Sequence, residues 1–318
     1  MAFVLGIDEA GLSPVLGPLV VSGALFSTRD RDEGGNFWRM LDSCVCSKPS
    51  KAAGRLVVAD SKTIHKKGNL TRLEEGVFSF LHSRGDRRIS NLKQLLGRLD
   101  ASVAIEECPW YELSSLKVPV AAWRNTARDH GERLQSVMEA RGMAFVAAYS
   151  EPVPGGQFNR DLDRTRNKAM LLWERVSRII YKALKASSGH NLTVCVDRLG
   201  GRDRYDQLLE DVFEGMRPER AKAGRDVSAY EYSYGGKRVR VLFLKSGEEK
   251  AMPVALASMI SKYVRELFLK QLNGWFCERM PGLKPTAGYH VDGRRFLRET
   301  EKFRRENEVP DEILIRKG

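Results

Sequence analysis

Asp8 and Glu9 stand side by side at the end of an apolar run that begins at Phe3, and the turn-rich stretch "GLSPVLGP" follows at once. A third acid, Asp197, closes a second apolar run, "NLTVCVD" (191–197). A further pair, Glu248 and Glu249, lies in "LKSGEEKAMP", just ahead of a helical pattern. Strand interiors disfavour Asp and Glu, so acids that end strands call for a reason. Any one of them alone reads as a helix cap or turn former, and Glu248-Glu249 alone as a solvated turn. Three such points on one chain shift the balance. Carboxylates at the ends of neighbouring strands repel one another, and a shared divalent cation offsets that repulsion. Mg2+ or Mn2+ held by such acids can activate a water and stabilise the leaving oxygen of a phosphodiester, the two-metal route of nucleases.

Little else in the chain competes for the chemistry. The five histidines are scattered, with no pair at helical spacing. The five cysteines, Cys44, Cys46, Cys108, Cys195 and Cys277, form neither a disulfide framework nor a zinc-ligand spacing. Cys44 and Cys46 as a redox or metal pair is the weaker reading. A net charge of +12 suits a polyanionic partner, since phosphate neutralisation releases counterions; a solvated basic surface is the plainer alternative. No apolar stretch reaches membrane-spanning length, and no basic segment precedes an apolar one as in a secretory signal. The expectation is a cytoplasmic protein that binds no membrane.

The elements that must position the acids follow from hydrophobic periodicity. Residues 3–9 and 17–27 read as strands joined by a short connection, hence an antiparallel pair. "RLVVADSK" (55–62) reads as a short extended segment, 70–84 as an amphipathic helix, and "ASVAIEECPW" (101–110) as a strand. A polar helix is expected over 119–141, a strand over 143–153 and one long helix over 161–186. After the strand 191–197 come the helix "RYDQLLEDVFEGM", a hairpin over 228–244 about Gly235-Gly236, a strong helix over 252–272 and a basic helix over 292–307. Strands and helices mixed in this order suit an α/β or α+β domain with a mixed sheet.

Five blocks carry a family resemblance. "GIDEAGLSPVLGPLVVSGAL" resembles the opening of type 2 ribonucleases H (ribonucleases HII and HIII), with Asp-Glu-Ala-Gly, a small-residue turn and Gly-Pro. "ADSKTIHKK" is similar to the family's Asp-Ser-Lys segment, and "VCVDRLGGRDRY" to the strand with the third acid. "PVALASMISKYVREL" resembles the helix that ends in Lys-Val-x-Arg-Asp, and "AGYHVDGRRFL" the segment before the terminal helix. The blocks keep the family's order and span most of the chain, with 85–150 poorly covered.

The resemblance implies a ribonuclease H-like fold: a central mixed five-stranded sheet flanked by helices, with a C-terminal helical portion. It implies a catalytic domain over 1–275 with an insertion near 85–150, then a substrate-binding portion over 276–318. The implied activity is metal-dependent endonucleolytic cleavage of the RNA strand in RNA–DNA hybrids or ribonucleotide-containing DNA, leaving 3′-hydroxyl and 5′-phosphate ends. Asp8, Glu9 and Asp197 become ligands of Mg2+ or Mn2+. The fourth is Glu248 by counting back from Lys262, or Glu249 by counting back from Pro253; the helix register favours Glu248. Lys62 and Lys262 would meet backbone phosphates, Ser258 would face the same groove, and Tyr289 would stack on a sugar beside the cleavage site. Plainer readings stand beside these: a solvated Lys62, a snorkelling Lys262, a packing Ser258 and a half-buried Tyr289. Gly11 and Ser13 fall in the turn that meets the ribonucleotide 2′-hydroxyl. There the chain departs from the pattern: Leu12-Ser13 lacks the second glycine of the family's Gly-x-Gly, on which close backbone approach depends. A monomer is expected. The alternatives are a nuclease of the same fold with another nucleic-acid substrate, and an inactive nucleic-acid-binding homologue.

Overall fold

The computed structural model describes residues 1–29, 36–65 and 68–317; the last two residues of "ADSKTIHKK" lie outside the described residues. Nine strands are described: β1 (Ala2–Ala10), β2 (Leu19–Thr28), β3 (Val45–Cys46), β4 (Leu56–Val57), β5 (Ala144–Val153), β6 (Asn191–Asp197), β7 (Arg220–Lys222), β8 (Val227–Tyr234) and β9 (Lys237–Leu244). The helices are α1 (Phe37–Met40), α2 (Ser61–Ile64), α3 (Thr71–Ser83), α4 (Leu92–Arg98), α5 (Arg124–Ala140), α6 (Gly155–Thr165), α7 (Lys168–Ala186), α8 (Asp206–Val212), α9 (Gly247–Lys250), α10 (Met252–Arg279), α11 (His290–Glu306) and α12 (Asp311–Leu314).

Seven strands form one mixed sheet in the order β5-β2-β1-β6-β9-β8-β7, and β3-β4 is a separate small ribbon. β1 runs antiparallel to β2 and parallel to β6, and β6 runs parallel to β9. The mixed sheet flanked by helices is the expected architecture, with seven strands instead of five. The strand 144–153 and both arms of the 227–244 hairpin all join this one sheet, and the polar edge strand "RAK" carries no hydrophobic signal.

Alternation along β1 settles what faces what. Phe3, Leu5 and Ile7 enter the core layer built with α7 and α8, while Val4 enters the layer built with α3 and α10. Gly6 and Asp8 share the α10 face. At Gly6 the main chain of Pro253 and Val254 approaches so closely that no side chain fits between strand and helix. α10 is buried along most of its length, as its almost continuous apolar sequence requires.

Several expectations are corrected. Residues 101–110 form no strand. The 119–141 helix begins only at Arg124, because the buried carboxylate of Glu74 accepts the main-chain N–H groups of Val120 (2.5 Å), Ala121 (2.5 Å) and Ala122 (2.7 Å). The single helix over 161–186 is two: Arg166 adopts a left-handed conformation, and the Asn167 side chain caps α7 by accepting from Ala169 N at 2.7 Å. Part of the 85–150 segment belongs to the central sheet through β5. The 275/276 division falls inside α10, and Phe276 and Phe296 sit in one core cluster with Met252 and Val264. Among the described residues no helix is long and apolar enough to cross a membrane.

Candidate metal centre and nucleic-acid cleft

The parallel pairing of β1 and β6 runs to Ile7–Val196, so the next residues of the two strands are Asp8 and Asp197. Strand ends thereby place two carboxylates from distant parts of the sequence at one edge of the sheet. β9, the other parallel neighbour of β6, leads past Ser246, which has a left-handed φ of 52°, into the short helix α9 with Glu248 and Glu249. The Gly247 N–H donates to Asp197 Oδ1 at 2.7 Å and ties this corner to β6. On the α10 side, the Ser261 hydroxyl donates to the Asp8 carbonyl at 3.0 Å, and Ser258 shares a 3.1 Å hydrogen bond with Ser61 of α2.

A cleft of about 260 Å³ opens at this edge. Asp8, Glu9, Gly11, Ser13, Lys62, Asp197, Glu248, Ser258, Lys262 and Tyr289 all line it. Glu249 does not; it is exposed and borders a neighbouring cavity of about 360 Å³ with Asp60 and Lys48. Lys262 donates to Glu266 Oε1 at 2.6 Å, an i,i+4 pair, so its ammonium is already engaged at the cleft wall. Tyr289 is half exposed at the rim, and the Arg265 guanidinium lies 5.4 Å from its ring centre.

The acids crowd one another. Burial, then Glu9 and Asp197, raises the Asp8 carboxyl well above its usual range. Burial and Asp197 push Glu9 up to about 7, against the opposing pull of Lys62. Glu248 is also raised, by burial first and then by Asp197 and Asp60. Burial draws the Lys62 ammonium down, but Asp60, Glu248, Asp8 and Asp197 outweigh it and hold Lys62 above its ordinary value. Lys62 therefore faces the carboxylates across the cleft.

The donor set fits a hard divalent cation. Every candidate ligand is a carboxylate oxygen, and Glu248 Oε2 is buried without a hydrogen-bond partner among the described residues. Asp8 Oδ1 accepts from Glu9 N at 2.8 Å, which fixes the carboxylate's orientation. Among the described residues no three acidic, histidine or cysteine side chains are drawn in tightly enough to form a ready-made metal shell. Mutual repulsion opposes such convergence.

Three neighbours were not read from the sequence. Ser61 and Arg265 line the cleft, and Arg316 braces the turn 11–17 from behind. Ser61 had a signal in the "ADSK" block. Arg265 had one in the "PVALASMISKYVREL" block, whereas Arg316, in the polar "IRKG" segment, had none.

No family model matches the chain, and no curated protein matches it. Solved structures do. The chain is similar to ribonuclease HII in its complex with PCNA from Archaeoglobus fulgidus (18% identity, 98% of this chain and 93% of that one, TM-score 0.44). It is similar to ribonuclease H2 from Pyrococcus horikoshii (16% identity, 98% and 92%, TM-score 0.43). It is also similar to Bst-RNase HIII in complex with Mn2+ (17% identity, 93% and 62%, TM-score 0.41). The reading of the cleft rests on this chain's own residues.

Proposed function

We propose that this protein is a metal-dependent endonuclease of the type 2 ribonuclease H kind, which cleaves the RNA strand of RNA–DNA hybrids. One observation carries the reading. Asp8, Glu9, Asp197 and Glu248, from three separate parts of the chain, meet in one cleft whose walls also hold Lys62, Ser258 and Tyr289. A pure binder of nucleic acid gains nothing from repelling carboxylates set beside phosphates.

Asp8, Glu9, Asp197 and Glu248 would hold Mg2+ or Mn2+. Such an ion supplies a nucleophilic water at neutral pH and stabilises charge on the leaving oxygen. The chain's own part is orientation. The Glu9 and Gly247 N–H groups hold the Asp8 and Asp197 carboxylates in place, and the Ser261 bond locks the β1 end to α10. Lys62 offers positive charge to a backbone phosphate, Tyr289 a ring to a sugar, and the turn at Gly11, Leu12 and Ser13 faces the ribose. A 2′-hydroxyl is what distinguishes RNA from DNA at such a turn.

The test is incubation of the purified protein with Mg2+ or Mn2+ and four labelled duplexes: RNA–DNA hybrid, DNA with one embedded ribonucleotide, all-DNA and all-RNA. The expected result is cleavage of the hybrid's RNA strand to 3′-hydroxyl and 5′-phosphate ends. Equal cutting of all-DNA would overturn the ribonuclease assignment. Binding without cleavage of any duplex would overturn the enzyme.

A further inference from the structure

Arg316 is an expensive residue to keep. It is 3% exposed, and among the described residues no carboxylate pairs with it. Burial and the neighbouring Arg265 push its guanidinium down to about 9, which leaves it charged at neutral pH. A buried cation without an anionic partner is strongly disfavoured, so the three carbonyls that it meets deserve scrutiny. Arg316 Nη1 donates to Gly11 O and, at 3.5 Å, to Gly17 O; Nη2 donates to Leu12 O at 2.7 Å. The guanidinium also lies 3.9 Å from the centre of the Phe158 ring.

The rest of the segment is fastened to match. Arg316 N donates to Val15 O at 2.9 Å. Asn159 of α6 donates to Glu312 O at 2.8 Å and to Ile315 O at 2.7 Å, and it accepts from Lys317 N at 2.8 Å. On the far side of the turn, Gly288 O accepts from Val15 N at 2.9 Å and from Leu16 N at 3.2 Å. The turn that follows Asp8-Glu9 is thus clamped between two segments, and Arg316 is the clamp on its first two peptides.

In a planar trans peptide the N–H points opposite to the C=O. Gly11 O and Leu12 O both turn to Arg316, so the N–H groups of Leu12 and Ser13, the other ends of the same peptides, point away from it. Among the described residues neither N–H has a hydrogen-bond partner. We infer that Arg316 is a positioning residue, which orients two consecutive main-chain donors at Leu12 and Ser13 toward the ribose 2′-hydroxyl in the cleft. The inference rests on the function proposed above and deepens it. A rigid, pre-aimed pair of donors replaces the close approach that a second glycine would allow.

The test measures binding of a labelled RNA–DNA hybrid and of an all-DNA duplex of the same sequence, in the Asp8→Asn background so that bound substrate is not turned over. Arg316→Ala and Arg316→Lys are then added to the full chain. The lysine variant keeps a cation and the main-chain tie to Val15, but it lacks the planar fork that spans both carbonyls. The expected result is a drop of about tenfold in the preference for hybrid over DNA, the scale of one or two hydrogen bonds, with DNA binding unchanged. Equal weakening on both duplexes, or an unchanged preference, overturns the positioning role. An Asp8→Asn protein without any hybrid preference instead sinks the reading of the cleft, and the inference with it. Amide hydrogen exchange needs no change at Arg316: Leu12 and Ser13 should be slowed by hybrid and not by DNA. No protection by either duplex overturns the inference.

Discussion

Gly6→Ala is a small substitution with a large expected effect. Gly6 lies on the α10 face of β1, two residues before Asp8, where an added methyl would meet main-chain atoms of Pro253 and Val254. It would sit more than about 1 Å inside ordinary van der Waals contact, and its neighbours are backbone that cannot swing aside. Strand and helix must therefore separate. Overpacking of this kind costs roughly 1–3 kcal/mol, and contact with a helix backbone puts Gly6 at the upper end. For a chain of 318 residues, with an unfolding entropy of roughly 0.67 kcal/mol/K, that corresponds to a fall in melting temperature of about 3–5 °C. The same movement lifts Ser258, Ser261 and Lys262 away from Asp8 and Glu9, since all three ride on α10. A displacement near 1 Å in a catalytic constellation lowers turnover by about 100-fold. Thermal unfolding and hybrid cleavage, measured on the same preparation, give both numbers. A variant with unchanged melting temperature and unchanged turnover would refute the account of how the helix is seated on the strand.

Glu248→Gln should lower cleavage at least 100-fold, whereas Glu249→Gln, at an exposed position outside the cleft, should change it less than about threefold; steady-state rates with Mg2+ decide. Metal-free protein should gain stability from Mg2+ or Mn2+, about 2.7 kcal/mol at a concentration one hundred times the dissociation constant. Asp8→Asn, which removes a buried and repelled carboxylate, should be more stable than wild type without metal and should lose that metal response in a melting titration.

Much of this site was legible because it is built from strand ends. Alternation and the apolar runs located β1 and β6, and the acids that break those runs located the cleft. Glu248, the residue the helix register favours, lines the cleft, and Glu249 does not. What the sequence hid depends on long-range partners. Residues 119–123 stay out of α5 because Glu74, far away in the chain, takes their amides. The bracing by Arg316 and Arg265 depends on burial that no local pattern reports. The break at Arg166-Asn167 was more accessible, since an asparagine ahead of "KAM" is a capping signal. Of the seven strands in the sheet only β7, the exposed edge segment "RAK", carries no hydrophobic signal; the other six lie in segments read as strands.

The most direct measurement compares wild type with Asp8→Asn and Asp197→Asn on a labelled RNA–DNA hybrid, with Mg2+ or Mn2+ and again with the cation chelated. Wild type should cleave the RNA strand only when the cation is present, and both variants should lose cleavage with fold and hybrid binding retained. Cleavage that survives chelation, or that persists in Asp197→Asn at the wild-type rate, would contradict it.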